Sequence, residues 1–161
     1  MTEIDPKADG TGCRIGIAVA RFNPEITEML LSGCRQALSD RRVAADDIDV
    51  VRVPGAWELP LACRSLIDTG RFDAVIALGA VIRGETAHFE FISSECARGL
   101  QQLGLDAGIP VAFGVLTPEN ADQARRRADP EGADKGREVA LAALEMIALK
   151  RAVAAMETEH G

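Results

Sequence analysis

The stretch Ala77-Leu78-Gly79-Ala80-Val81-Ile82-Arg83-Gly84-Glu85-Thr86-Ala87-His88-Phe89 decides how this chain is read. An apolar run ends in a polar, glycine-containing turn, and a helical pattern opens directly after it. A buried strand that feeds a helix in this way delivers backbone to the edge of a sheet. The turn exposes N–H groups, and the N-terminus of the new helix favours an anion. His88 falls in that helix's first turn, and an imidazole, with an ordinary pKa near ~6.5, titrates close to neutral pH. The other histidine, His160, is one residue from the end.

Outward from this stretch, the same step from apolar run to amphipathic segment recurs, giving four in all. Such alternation is the mark of parallel βα units rather than hairpins, and it predicts an α/β fold with a helix-covered sheet. Arg14 to Ala20 reads as the first strand. Asn23, Pro24 and Glu25 supply an N-cap residue, a proline at the first helical position and an acid in the first turn. Ile26, Met29, Leu30, Gly33 and Ala37 then recur at helical spacing. A polar connection, Asp40 to Asp47, leads to the second strand, Ile48 to Val53. That strand is stopped by Pro54 and Gly55, and a helix marked by Leu59, Ala62, Cys63, Leu66 and Ile67 closes near Gly70. Ala74 to Ile82 is the most apolar strand and therefore central. Its helix turns Phe89, Ile92, Cys96, Leu100 and Leu103 inward. Val111 to Leu116 forms the fourth strand, before a short helix near Asn120 to Ala128 and a turn holding Asp129, Pro130 and Gly132. The last helix runs from about Lys135 to beyond Ala154. No internal repeat, low-complexity segment or second domain is evident, so 1–161 reads as one domain with a flexible N-terminal arm over 1–12.

Composition narrows the function. An apolar fraction of 47% in 161 residues supports one ordinary core. A net charge of -7 disfavours nucleic-acid binding, which needs a basic surface to release counterions. There is no long apolar run and no signal-peptide pattern, so the reading is cytoplasmic, with no membrane partner. Cys13, Cys34, Cys63 and Cys96 are scattered, without a C-x-x-C pair or companion histidines, and read as reduced, mostly buried thiols rather than metal ligands. No nucleophile elbow and no G-x-x-x-x-G-K-S loop is present, which weakens hydrolase and nucleoside-triphosphatase readings.

In open parallel sheets ligands bind outside the carboxyl ends of the strands, near the reversal of strand order. That rule gathers Phe22 and Asn23 after strand one, Gly55 to Glu58 after strand two, Arg83 to His88 after strand three, and Phe113 and Gly114, placed late in strand four. His88 is either a helix histidine bonded to a carbonyl or a proton shuttle, and its place after a Gly-Glu-Thr turn favours the shuttle. Thr86 caps the helix and, compatibly, donates to a phosphate. Glu85 is awkward beside phosphate, so the turn contributes mainly through N–H groups. Phe22 and Phe113 either plug core or stack on a planar ligand. Trp57 reads as packing. Glu58 either accepts from a polyol or ring N–H or favours a helix N-terminus. Arg125, Arg126 and Arg127, with Lys135 shortly after, form either a solvated helix face or a phosphate clamp with one arginine turned inward.

Together these segments resemble the 6,7-dimethyl-8-ribityllumazine synthase family of riboflavin biosynthesis. The resemblance runs from Arg14 to about Met146. It is carried by Arg21-Phe22-Asn23, Pro54-Gly55-Ala56-Trp57-Glu58-Leu59-Pro60, Gly79 through Phe89, Phe113-Gly114-Val115-Leu116-Thr117, Arg127 and Lys135-Gly136. It implies a three-layer, flavodoxin-like fold with a four-stranded parallel sheet in the order 2-1-3-4. It also implies condensation of 5-amino-6-(D-ribitylamino)uracil with 3,4-dihydroxy-2-butanone 4-phosphate, releasing phosphate and water, with no cofactor and no metal. By position, Phe22 stacks on the uracil ring, Ala56, Trp57 and Glu58 hold the ribityl chain, and the backbone of Ala80, Val81 and Ile82 meets the pyrimidine edge. Gly84, Glu85 and Thr86 form the phosphate turn with Arg127, Lys135 adds positive charge, and His88 moves protons. In family members Phe113 and Arg127 reach the site from the neighbouring subunit, so the site exists only between chains, and the resemblance implies a homo-pentamer. The turn Asp129-Pro130-Glu131-Gly132-Ala133-Asp134 matches shell-forming members in length but not in residues. A decamer or icosahedral shell of pentamers, and association with riboflavin synthase, therefore stay open. A non-catalytic lumazine or flavin binder would not need His88, Thr86 and Arg127, all of which are present, and a chiefly structural shell is the other alternative.

Overall fold

In a computed structural model, which describes residues 1–158, the first 14 residues carry no regular secondary structure. His160 and the end of the chain lie outside the described residues. The elements follow in the order β1 (Ile15–Ala20), α1 (Pro24–Asp40), β2 (Ile48–Val53), α2 (Leu59–Asp68), β3 (Ala74–Ala80), α3 (His88–Ala107), β4 (Val111–Leu116), α4 (Ala121–Ala128) and α5 (Lys135–Thr158). The strands form one parallel sheet in the order β2-β1-β3-β4. Both central strands are buried at every residue. This is the expected α/β, flavodoxin-like layering.

Side-chain alternation along β1 and β3 builds the two apolar layers. Ile15, Ile17 and Val19, with Ile76 and Leu78, pack under α1 and α5. Ala18, Ala20, Val75 and Ala77 face α2 and α3. Small residues on the second face let α2 approach closely, and a Cβ on Gly79 would stand 3.1 Å from Leu59 Cδ1. On the opposite face the closest approach lies between α1 and α5, where a Cβ on Gly136 would fall 2.1 Å from the Leu30 carbonyl oxygen. All four cysteines are free and buried. Burial pushes the Cys34 and Cys63 thiols up to about 12 and Cys96 up to about 11, so they remain neutral packing groups.

Two expected boundaries move. The first strand begins at Ile15 rather than Arg14, whose N–H donates to the Asp73 carboxylate. The third ends at Ala80 rather than Ile82. Beyond it the Val81 N–H still donates to the Leu116 carbonyl (2.8 Å) and the Arg83 N–H to the Pro118 carbonyl (3.0 Å), so the chain leaves the sheet gradually beside β4. At the other end of the sheet Ala8 is buried, and the Gly10 N–H donates to the Arg41 carbonyl at 2.7 Å, seating residues 8–10 on the end of α1.

Candidate active site

The carboxyl ends of β1, β2 and β3 converge on a cavity of about 340 Å³. Phe22, Asn23, Ala56, Trp57, Ala80, Val81, Ile82, Gly84, Thr86 and His88 line it, together with Gly55, Phe89 and Ile92. The size and the mixture of aromatic walls with a polar rim suit a small planar, polar ligand.

Each wall has a local cause. Pro24 disfavours right-handed helical backbone at the residue before it, and Asn23 takes the left-handed region instead, with φ 59°. Its side chain therefore does not cap α1 as its residue type suggested. The Asn23 Nδ2 donates to the Ala80 carbonyl at 3.0 Å, bridging the ends of β1 and β3. Phe22, immediately before it, is 72% exposed, which excludes the core-plug reading of that ring. Trp57, expected as packing, is 58% exposed and forms cavity wall instead, because the short 3-10 turn Ala56–Glu58 buries Ala56 and turns the indole outward. One Glu58 carboxylate oxygen accepts from the Gly55 N–H at 2.9 Å, which locks the turn, and Glu58 itself is not among the residues that line the cavity.

The turn after β3 is rich in unengaged donors. Among the described residues, the peptide N–H groups of Ile82, Gly84, Glu85, Thr86 and Ala87 donate to no protein acceptor. A run of such donors leading into a 20-residue helix favours an anion. Nothing stands within 4 Å of where a Cβ on Gly84 would be, so this glycine keeps space open beside the donors. Ala87, not Thr86, occupies the N-cap position of α3, and Thr86 Oγ1 accepts a long bond (3.4 Å) from the His88 N–H. The hydroxyl proton of Thr86 is then free to donate. His88 is exposed at the mouth of the cavity. The Val81 N–H is taken by Leu116, which limits Val81 to its carbonyl as a backbone ligand, whereas Ile82 offers both groups.

Of the expected site residues, Glu58, Glu85, Phe113, Arg127 and Lys135 do not line this cavity, and the last three lie elsewhere. Phe113 is the third residue of β4, paired with Ala77 in mid-sheet, and so is not at the carboxyl edge. It is 47% exposed on the free edge of the sheet. There it lines a second cavity of about 200 Å³ with Lys135 and Glu138. The Lys135 Nζ donates to Glu138 at 2.6 Å. Arg127 is exposed on α4, bonded at 3.4 Å to the Gln123 carbonyl of its own helix, and lines neither cavity. Of the arginine run it is Arg125 that is tied down, by Glu25 at 3.0 Å and Asp122 at 3.1 Å. Within one chain, then, Phe113, Arg127 and Lys135 add neither ring nor cation to the cavity, whose aromatic walls are Phe22, Trp57 and Phe89.

Sequence reasoning passed over Phe89 and Ile92 as lining residues, reading both only as core, and it gave Arg83 no role. The Arg83 guanidinium pairs with Glu90 and with Glu119 (2.7 Å) and stacks over the Phe89 ring, 4.4 Å from its centroid. Its hydrogen bond holds the Glu90 carboxyl below the ordinary carboxylate range. The one available signal was an arginine opening the turn, seven residues before Glu90.

None of the described helices is long and apolar enough to cross a membrane. Comparison with known proteins agrees with the geometry. Residues 12–151 match the family description 6,7-dimethyl-8-ribityllumazine synthase. The 6,7-dimethyl-8-ribityllumazine synthase of Edwardsiella ictaluri (strain 93-146) is 52% identical over 143 residues, covering 88% of this chain and 92% of that protein. With a family match that spans most of the chain and a cavity at the switch point of a 2-1-3-4 sheet, the chain belongs to the 6,7-dimethyl-8-ribityllumazine synthase family, the transferases of riboflavin biosynthesis.

Proposed function

We propose that the chain condenses 5-amino-6-(D-ribitylamino)uracil with 3,4-dihydroxy-2-butanone 4-phosphate to form 6,7-dimethyl-8-ribityllumazine, phosphate and water, in the cavity at the ends of β1, β2 and β3. The observation that carries this reading is the joint placement there of an exposed flat ring, a run of unengaged N–H donors and a histidine. Phe22 stacks on the uracil, whose edge meets the carbonyl of Val81 and the peptide groups of Ala80 and Ile82. Ala56, Trp57 and Glu58 hold the ribityl chain. Gly84, Glu85 and Thr86 seat the phosphate through their N–H groups and the Thr86 hydroxyl, and Arg127 and Lys135 supply positive charge.

The ring-bearing substrate brings its own amine nucleophile, so attack on the ketone needs no enzyme lysine and no metal. Holding the amine nitrogen beside the ketone carbon converts a bimolecular encounter into a local one, and this positioning supplies most of the rate. His88 takes the proton that the amine sheds and returns it to the oxygen leaving as water, then serves the same way as phosphate departs.

Phe113, Arg127 and Lys135 lie away from this cavity in one chain, and the reading assigns Phe113 and Arg127 to the neighbouring subunit's site in a homo-pentamer. A decamer or shell of pentamers, and association with riboflavin synthase, are extensions of that unit. The whole chain, 1–161, serves as one domain in the cytoplasm, with 1–12 as an N-terminal arm. The test is to mix purified protein with both substrates and follow lumazine absorbance against the uncatalysed background. A protein-dependent rate that falls in Arg127→Ala and His88→Ala supports the reading. Well-assembled protein with no rate above background removes it in favour of a binding protein.

A further inference from the structure

Arg83 sits at the start of the donor-rich turn and touches four groups that belong to two different segments. Its own N–H donates to the Pro118 carbonyl at 3.0 Å. Its guanidinium spans Glu90, on the first turn of α3, and Glu119, in the loop that launches α4, while lying over Phe89. The Glu119 N–H in turn donates to Gln123 Oε1 of α4 at 2.9 Å, and Asn120 Oδ1 caps the same helix by accepting from the Gln123 N–H. One planar fork thus joins the turn over 83–88 to the base of α4, the helix that carries Arg127.

We propose that Arg83 is a positioning residue, clamping the phosphate turn and the start of α4 into one rigid unit so that both sets of phosphate contacts are held in place. This rests on the phosphate reading of the turn given above. Arg83 is not itself a phosphate ligand, because two carboxylates already occupy its fork. A planar guanidinium suits this task where an ammonium does not, since its donors point along fixed directions to two acceptors at once. The pairs are partly exposed, with side-chain exposures of 39% for Arg83 and 59% for Glu119, so each alone is weak. Their value lies in joining segments 36 residues apart in sequence that are otherwise held here by single backbone bonds.

Glu119→Gln separates a clamp from a charge effect, because the two predict opposite signs. If Glu119 acts only through its charge, removing a carboxylate near an anion seat tightens phosphate. If it anchors the clamp, its loss loosens the seat and weakens phosphate. We expect the assembled Glu119→Gln protein to bind inorganic phosphate about threefold more weakly by calorimetry. KM for the phosphorylated ketone should rise by a similar factor, with KM for ribitylaminouracil unchanged. Arg83→Lys, which keeps the charge but meets only one carboxylate, should shift phosphate affinity in the same direction. Unchanged or tighter phosphate binding in Glu119→Gln overturns the clamp. If wild-type protein fails to bind phosphate, or binds it with no sensitivity to Thr86→Val and Arg127→Ala, the phosphate reading falls first and the clamp falls with it.

Discussion

His88 is exposed at the cavity mouth, held by its place at the first position of α3 and a long bond from its N–H to the Thr86 hydroxyl oxygen. Among the described residues no carboxylate accepts from its ring, so in the proton-carrying role proposed above it has no relay partner within one chain. A lone proton carrier beside two self-sufficient reactants contributes a general acid/base factor and no more. His88→Ala should therefore lower kcat by about 10²-fold while leaving measurable turnover, with KM for either substrate little changed. Steady-state rates on assembled protein check this, and complete loss of activity there would mean that the imidazole does something positioning cannot replace. At this scale the sequence was informative about residue type and poor about geometry. Asn23 reads as a helix cap from its place before Pro24, yet its amide is spent on the Ala80 carbonyl across the sheet. That bond depends on β1 and β3 being neighbours, a fact no local pattern contains.

At the scale of elements, the strands and helices were legible because their causes are local. Apolar runs stopped by Pro54-Gly55 or Arg83-Gly84, and helical periodicity after Asn23 and Leu59, need no tertiary information. What local pattern could not show is how elements meet. Phe113 looked like a strand-end residue, but the register Ala77 to Phe113 places it mid-strand on the open edge. The contact between α1 and α5 is another case. Gly33 reads as one more residue on the buried face of α1, whereas it is the notch against which Asp134 sits, a Cβ there falling 2.1 Å from Asp134 Oδ1. Asp134, itself at φ 44°, accepts from the Arg137 N–H at 3.0 Å and so starts α5 where Lys135 stands. Gly136 meets the Leu30 carbonyl just as closely. Backbone cannot move aside as a flexible side chain can, so Gly136→Ala must push α5 off α1, at a cost of about 2–3 kcal/mol. Urea unfolding measures the loss. The same displacement moves Lys135, so activity should fall by more than the lost folded fraction explains.

The whole molecule presents two unlike apolar faces. Phe113, Met146 and Val153 are exposed along the free β4 edge and α5, with Leu105 from the end of α3 beside them, while Trp57, Leu61 and Phe91 are exposed by α2 and the start of α3. Two different faces that cover each other in successive copies make a head-to-tail contact rather than a two-fold dimer, and such a contact forms a ring where its rotation closes, as in the pentamer proposed above. In such a ring the cavity of one chain is completed by the next, as the pentamer reading requires. Thr86→Asp places a carboxylate in the anion turn and should silence the chain's own cavity, while its Arg127 remains able to serve a neighbour. Arg127→Glu should do the reverse. Each variant made alone is then expected to be inactive. When the two are co-expressed in equal amounts, a site is intact only where an Arg127→Glu chain supplies the turn and a Thr86→Asp chain supplies the arginine. Random assembly places them in that order at about a quarter of the interfaces. Mixed rings should therefore recover roughly a quarter of wild-type activity per chain, in proportion to mixing and only after assembly. If Arg127 instead served its own chain's cavity, every site in the mixture would carry one lesion, and co-expression would restore nothing.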